Sequence, residues 1–159
     1  AGLLRDVSAR VNAVNAFLIA EERGISVTTS YFRPSSDFTP SIRAQVLGKD
    51  SERSLAGTIF GFGEQAREGR ITEIDHFHIE ATPRGHMLVM RNRDVPGVIG
   101  RVGTILGERG VNISRFHLGR RERGGEAMAV VEVDVPLTPE TLAELRAFEP
   151  VISARQIEL

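Results

Sequence analysis

The chain has 159 residues, a formal net charge of -1 and no cysteine, enough for one ordinary domain or two small ones that bury about two-thirds of the unfolded surface. The near-neutral balance argues against an electrostatic nucleic-acid binder, and the lack of cysteine excludes disulfides, thiolate metal sites and cysteine nucleophiles. Lys49 is the single lysine among 20 basic residues, which removes any pool of Schiff-base or P-loop lysines. No basic-then-apolar leader is present, and no apolar run approaches the ~20 residues of a membrane span, so the expectation is a soluble cytoplasmic protein.

In chain order, Leu3, Val7, Val11, Val14 and Leu18 fall on one helical stripe, which Asn12 and Asn15 can divide into two helices, the second capped by Asn15. Gly24 ends it. Ile25, Val27, Thr29 and Tyr31 then alternate as a strand, followed by a polar loop from Pro34 to Ser41. Strands over Ile42 to Leu47 and Glu52 to Phe60 flank Gly48-Lys-Asp-Ser51, a hairpin signature. Gly61 to Gly69 has the turn chemistry and charge of a loop, and Ile71 to Ile79 resumes as a strand. Pro and Gly punctuate Ala81-Thr-Pro-Arg-Gly85, which marks a domain boundary before a new strand at His86.

The second half opens with an apolar strand, Met87 to Met90, and a helix whose face carries Val98, Val102, Ile105 and Leu106 up to a stop at Gly110. Val111 and Ile113 share one parity and Phe116 and Leu118 the other, which predicts a bulge near Ser114 and Arg115. After a turn at Gly124-Gly125, Ala127, Ala129, Val131, Val133 and Val135 alternate with Glu126, Glu132 and Asp134, the pattern of a half-buried antiparallel strand. Thr138 before Pro139 starts a helix with Leu142, Leu145 and Phe148 inward, and Val151 to Leu159 is a last strand. The predicted class is α+β with two small domains: residues 1–82, a helix followed by an antiparallel sheet, and residues 83–159, a ferredoxin-like β-α-β-β-α-β plait.

The stretch from Asp94 to Asn112 says most about function. Asp94 can cap the helix, Pro96 suits its first turn, and the N–H groups of Gly97 and Val98 point out of the helix start, where they can hold a carboxylate. Asn112 adds an amide that both donates and accepts. A carboxylate, an amide and bare backbone donors suit a small zwitterion such as an amino acid. Gly100, Gly103 and Gly107 form a stripe on one shoulder of the helix, each costing about 0.8 to 1 kcal/mol relative to alanine. Such a stripe is tolerated where a backbone, a ligand or a second subunit comes close.

Asp94-Val-Pro-Gly97 with Gly110-Val-Asn-Ile113 resembles the ACT family of small amino-acid-sensing modules. Upstream, Val11-Asn-Ala-Val-Asn-Ala16, Ala20-Glu-Glu-Arg-Gly24, Leu55-Ala-Gly-Thr-Ile-Phe-Gly61 and Gly85-His-Met-Leu88 resemble the C-terminal part of the long-form D-3-phosphoglycerate dehydrogenase family. There an allosteric substrate-binding domain precedes the ACT domain. The resemblance covers essentially the whole chain and implies a non-catalytic regulatory segment that inhibits a parent NAD-dependent oxidoreductase of serine biosynthesis. It implies no catalytic residue and no cofactor in this segment, NAD belonging to the parent's nucleotide-binding and catalytic domains.

By the same resemblance, L-serine or another small amino acid binds across a homo-oligomer interface at positions matching Asn92, Asp94 and Asn112, with the turn at Pro96, Gly97 and Val98. Asn92 stands where some relatives carry His or Tyr, and Val95 replaces a common Arg. The upstream domain binds an anion in some relatives, for which Arg43 is the foremost local candidate, with Arg33, Lys49 and Arg53. The first domain begins in a helix at Leu3, without an initial strand seen in relatives. A ligand-free assembly module, or the regulatory part of an iron-sulfur L-serine dehydratase, is the alternative.

Other signals carry less. His76 and His78 would share a strand face, but with His86 and His117 as the only further histidines no metal site is expected. No G-x-G-x-x-G follows a strand to cradle a dinucleotide. Gly97-Val-Ile-Gly100 mimics the KH loop without its basic residues, and only Phe116 could pass for a stacking aromatic of an RRM. Asn112-Ile-Ser114 matches a glycosylation pattern by chance, and Arg120-Arg-Glu-Arg123 reads as a solvated hairpin loop.

Overall fold

The structure is a computed structural model that describes residue 4 and residues 10–31, 41–60 and 68–159. The chain forms two compact units, Ala1–Asp37 and Phe38–Leu159. In the first, helix α1 spans Ala16–Glu22. It starts just after Asn15, where the sequence allows the stripe to divide: Asn12 Oδ1 accepts from the N–H groups of Val14 (2.9 Å) and Asn15 (3.1 Å). This side-chain turn competes with helical hydrogen bonding. Asn15 precedes the helix, but its own Oδ1 accepts from Asn12 N–H at 2.8 Å and makes no cap bond. Val14, expected on the buried stripe, is 94% exposed.

Gly24, at φ 70°, ends α1, with Gly24 N–H donating to Glu21 O and Ile25 N–H to Ala20 O, both at 2.9 Å. The strand expected over Ile25 to Tyr31 does not form: these residues are exposed and outside any strand. Alternation selects a strand only where a neighbouring chain supplies the ladder, and none pairs with this segment among the described residues. The polar loop at 34–40 and the loop at 61–67 lie outside the described residues.

In the second unit, β1 (Ser41–Leu47), β2 (Glu52–Phe60), β3 (Glu68–Ile74) and β4 (Phe77–Ala81) form an antiparallel sheet in that order. The hairpin at Gly48–Ser51 is as expected, closed by Gly48 N–H donating to Ser51 O at 2.7 Å. The single strand expected over Ile71 to Ile79 is instead two. Asp75 (φ 46°) and His76 (φ 64°) both take the left-handed conformation and join Ile74 to Phe77 by a two-residue turn. The turn lacks the glycine that usually announces it, and it removes His76 from the strand face of His78.

The second sheet runs β6 (Ile113–Arg120), β7 (Glu126–Val133), β5 (His86–Arg93), β8 (Val151–Glu158), with α2 (Val98–Glu108) and α3 (Pro139–Ala147) connecting its strands. This is the expected β-α-β-β-α-β plait. Helix α2 buries Val98, Val102, Ile105 and Leu106 in one cluster with Leu88, Met90, Ala129 and Val131 of the sheet. Gly110 (φ 69°) stops α2, where Val111 N–H returns to Leu106 O at 2.9 Å. Thr138 caps α3, its Oγ1 accepting from Thr141 N–H at 3.2 Å. The pairing of β6 with β7 shifts between Ile113 and Arg115, the bulge that the parity change predicts.

The opposite face of this sheet is also covered. Phe77, Ile79 and Ala81 of β4 pack with Met87, Met128 and Val130. Strand β7 is therefore buried on both faces, not half-buried, and Glu132 is only 5% exposed. The approach is close at Gly119, where a Cβ would stand 2.0 Å from the His78 carbonyl oxygen. Among the described residues no helix is long and apolar enough to cross a membrane. Replacing Gly119 by alanine forces β4 away from β6, and the expected loss is about 1–3 kcal/mol of unfolding free energy in urea titration, the range for overpacking a filled interior. An unchanged midpoint would contradict the close packing.

Candidate functional site

Strand β5 leads directly into the turn before α2. Asp94 N–H donates to Gly125 O at 2.8 Å, Val95 N–H donates to Arg93 O at 3.0 Å, and Gly97, at φ 90°, is the N-cap of α2. Asp94 does not cap the helix as expected. Its carboxylate turns to the β6–β7 hairpin, accepting from Arg120 Nη1 at 3.0 Å and from Gly124 N–H at 3.2 Å. These two donors, the Gly124 N–H foremost, hold the carboxyl below the usual carboxylate range. Pro96 is exposed in the turn, outside the helix. The first N–H used within α2 is that of Arg101, bonded to Gly97 O at 2.9 Å. Those of Val98, Ile99 and Gly100 remain available at the positive end of the helix.

Asn92 lies one turn of the pleat earlier, on the helix-bearing face of β5, and is 2% exposed. Its Nδ2 donates to Arg93 O at 2.7 Å, whereas its Oδ1 is buried with no donor. A buried amide oxygen left without a partner is costly, and a ligand carrying N–H or O–H groups would satisfy it.

Asn112 is elsewhere. It precedes β6, its Nδ2 donating to Asp134 Oδ2 at 2.7 Å and its main-chain oxygen accepting from Asp134 N–H at 3.2 Å. Strands β5 and β6 both run antiparallel to β7 and so parallel to each other. Asp94 therefore sits at one end of the sheet and Asn112 at the other, separated by about 26 Å for an eight-residue strand. One copy of the chain brings Asn92, Asp94, Gly97 and Val98 together at one end and leaves Asn112 out.

Arg120 and Gly124, the partners of Asp94, were not among the expected site residues, since Arg120-Arg-Glu-Arg123 reads as a solvated loop. The plait order carries the missing signal: with β5 and β6 flanking β7, the β6–β7 hairpin must end beside the residue that follows β5. The neighbouring Arg121 stacks its guanidinium 4.5 Å from the Phe77 ring centroid and donates to Asp75 O.

The expected anion candidates are placed differently. Arg43 forms a two-pronged ion pair with Glu73, Nη2 to Oε2 at 2.8 Å, which raises the guanidinium and lowers the carboxyl pKa. Arg53 pairs with Asp75 at 2.5 Å. Lys49 is exposed in the hairpin turn, and Arg33 lies outside the described residues. Both described arginines thus have a carboxylate partner already. His76 Nε2 lies 3.0 Å from Glu52 Oε1. Among the described residues no group of three or more His, Cys, Asp or Glu side chains is placed to hold a metal.

Two family models match the chain: the D-3-phosphoglycerate dehydrogenase intervening domain over residues 1–75 and the ACT domain over residues 86–150. Over these ranges the chain resembles proteins that pair the two domains. A D-3-phosphoglycerate dehydrogenase of Bacillus subtilis is 38% identical over 154 residues, covering 96% of this chain and 28% of that protein. One of Archaeoglobus fulgidus is 36% identical over 155 residues, with 96% and 28% covered. One of Synechocystis is 35% identical over 150 residues, with 94% and 26% covered. The chain thus spans little more than a quarter of the length of these relatives. The turn 94–97 and the start of α2 lie within the ACT-domain match, as does Asn112.

The hydrogen bonds that Asp94 accepts, the Gly124 N–H foremost, make the stability of this part of the chain depend on pH in a defined direction. A carboxyl whose folded-state pKa is depressed stabilises the fold above the unfolded value of about 3.9, and that contribution is lost as pH falls through the folded value. Asp94→Asn is therefore expected to lower Tm by a constant amount at neutral pH and to converge with the parent chain below about pH 4. A gap that persists undiminished into acid would mean that the carboxylate charge contributes nothing.

Proposed function

We propose that this chain is the non-catalytic regulatory part of a D-3-phosphoglycerate dehydrogenase, with domains at residues 1–82 and 83–159, and that it binds L-serine between two copies of its ACT domain. The observation that carries this is the buried, donorless Oδ1 of Asn92, at the strand end that leads to the carboxylate of Asp94 and the free N–H groups of α2. Ammonium and hydroxyl groups donate to such oxygens, and a carboxylate suits the helix start. L-serine has all three. In the parent protein this binding inhibits an NAD-dependent oxidation carried out by its catalytic and nucleotide-binding domains.

Because Asp94 and Asn112 lie at opposite ends of the sheet within one copy, a site that uses both must be shared between two copies. Among the described residues no strand pairs with the outer edge of β6. If two copies pair antiparallel along that edge about a two-fold axis, the N-terminal end of one β6 lies beside the C-terminal end of the other. Asn112 of the partner subunit then approaches Arg120 and Asp94, and its side-chain oxygen, not used by Asp134, can accept from the ligand. Along the stripe of Gly100, Gly103 and Gly107, a Cβ added at any of the three would meet no atom within 4 Å, which leaves room for a neighbouring backbone on α2.

Titration calorimetry with L-serine tests this. Asp94→Ala and Asn112→Ala are each expected to weaken binding by about tenfold or more, the size of a lost hydrogen bond to a charged group. Because each shared site takes one residue from each copy, mixing the two variants should restore about a quarter of the sites by random pairing. A mixture as silent as its components would overturn the shared site, and heat from no amino acid at all would leave an assembly role alone.

A further inference from the structure

The hydrogen bonds of Asp94 constrain what the proposed amino-acid site can accept. Its carboxylate is not vacant: Arg120 Nη1 occupies one oxygen at 3.0 Å, and Gly124 N–H reaches the same oxygen at 3.2 Å. The main chain of Gly124 is part of the hairpin turn, and the return bond from Asp94 N–H to Gly125 O at 2.8 Å ties that turn to the end of β5. Arg120 differs from these. Its side chain is 55% exposed and Asp94 is its only ion-pair partner among the described residues. An ion pair so open to water is weak and readily exchanged.

We infer that Arg120 is the selectivity-determining residue of this site: with Asp94 it forms an internal ion pair that a zwitterionic α-amino acid replaces partner for partner, whereas an amine or a carboxylic acid cannot. The inference rests on the amino-acid-binding function proposed above and specifies the ligand class that the site admits. The ammonium of the ligand takes the place of the guanidinium on Asp94, and the displaced guanidinium takes the ligand carboxylate, for which its planar fork is suited. Two ion pairs replace one, and the helix start adds further donors for the same carboxylate.

The competing ligands lack this balance. A simple amine exchanges one ion pair for another and leaves Arg120 to solvent, so it gains little. A carboxylic acid without an ammonium can pair with Arg120 only beside the negative charge of Asp94, which opposes it. The Asp94 carboxyl is held in its charged form by its two donors, so this opposition is present at neutral pH. Selectivity thus comes from a charge already seated in the site, a form of discrimination against the wrong ligand as much as attraction for the right one.

Titration calorimetry of this chain with L-serine, ethanolamine and 3-hydroxypropanoate is the test, on the parent and on Arg120→Ala and Arg120→Lys, with thermal melts to confirm folding. The parent is expected to bind serine and to bind the other two at least about tenfold more weakly. Arg120→Ala should lose about tenfold or more in serine affinity and gain in ethanolamine affinity, collapsing the ratio between them. Arg120→Lys, which keeps the charge without the fork, should fall between. A serine-to-ethanolamine ratio in Arg120→Ala equal to that of the parent overturns the role of Arg120 while the amino-acid site stands. A parent chain that binds no amino acid overturns both.

Discussion

The covering of both faces of the second sheet is the constraint on which the rest depends. Helices α2 and α3 cover one face through Val98, Val102, Ile105, Leu106 and Leu145, and β4 covers the other through Phe77, Ile79 and Ala81. Strand β7 lies between them, and its side chains Met128 to Val131 are almost inaccessible to water. Each buried aliphatic side chain of this kind contributes about 1.5–3 kcal/mol, so the central strands are the rigid part of the molecule. The bare backbone of Gly119 is what lets β4 come that near. A side chain there would open the second interface along its length.

Rigidity at the centre positions the periphery. The turn 94–97 follows β5 and the hairpin tip 120–125 joins β6 to β7, so both emerge from the same end of the sheet. Their meeting is secured by three hydrogen bonds through Asp94, two to its carboxylate and one from its N–H. The same tip reaches the other sheet, where Arg121 covers Phe77 and bonds the main chain of Asp75, itself held by Arg53 and by Ser54 N–H. Adjacent arginines thus connect one hairpin to two places: the start of α2 and the turn between β3 and β4. The start of α2 and the β3–β4 turn are thereby joined through one continuous set of contacts.

Much of this was legible in the residues alone. The apolar spacing of α2, the stop at Gly110, the cap at Thr138, the turns at Gly48–Ser51 and Gly124–Gly125 and the bulge after Ile113 all rest on interactions within a few residues, where sequence neighbours are also spatial neighbours. Errors arose where local pattern lacked a partner or hid one. The alternation of Ile25 to Tyr31 had no strand to pair with among the described residues, Asn15 turned its side chain to Asn12 N–H instead of capping α1, and Asp75-His76 formed a tight turn without glycine. At the site, Asp94 looked like a helix cap because it stands just before Pro96 and the apolar run of α2, and no local rule shows that a hairpin tip 26 residues further on would claim its carboxylate.

The sequence by itself determined the order of elements in the plait, the face that α2 buries, and the chemical types gathered around the turn at Asp94, since these follow from periodicity, capping and turn stereochemistry. The tertiary structure alone decided which of those groups meet. It buried Asn92 with one oxygen unpartnered, set Arg120 on Asp94, spent Arg43 on Glu73, and placed Asn112 at the far end of the sheet. The reason is the ordering of strands: a sheet arranged β6-β7-β5-β8 brings together residues that are remote along the chain and holds apart residues that a linear motif makes look adjacent.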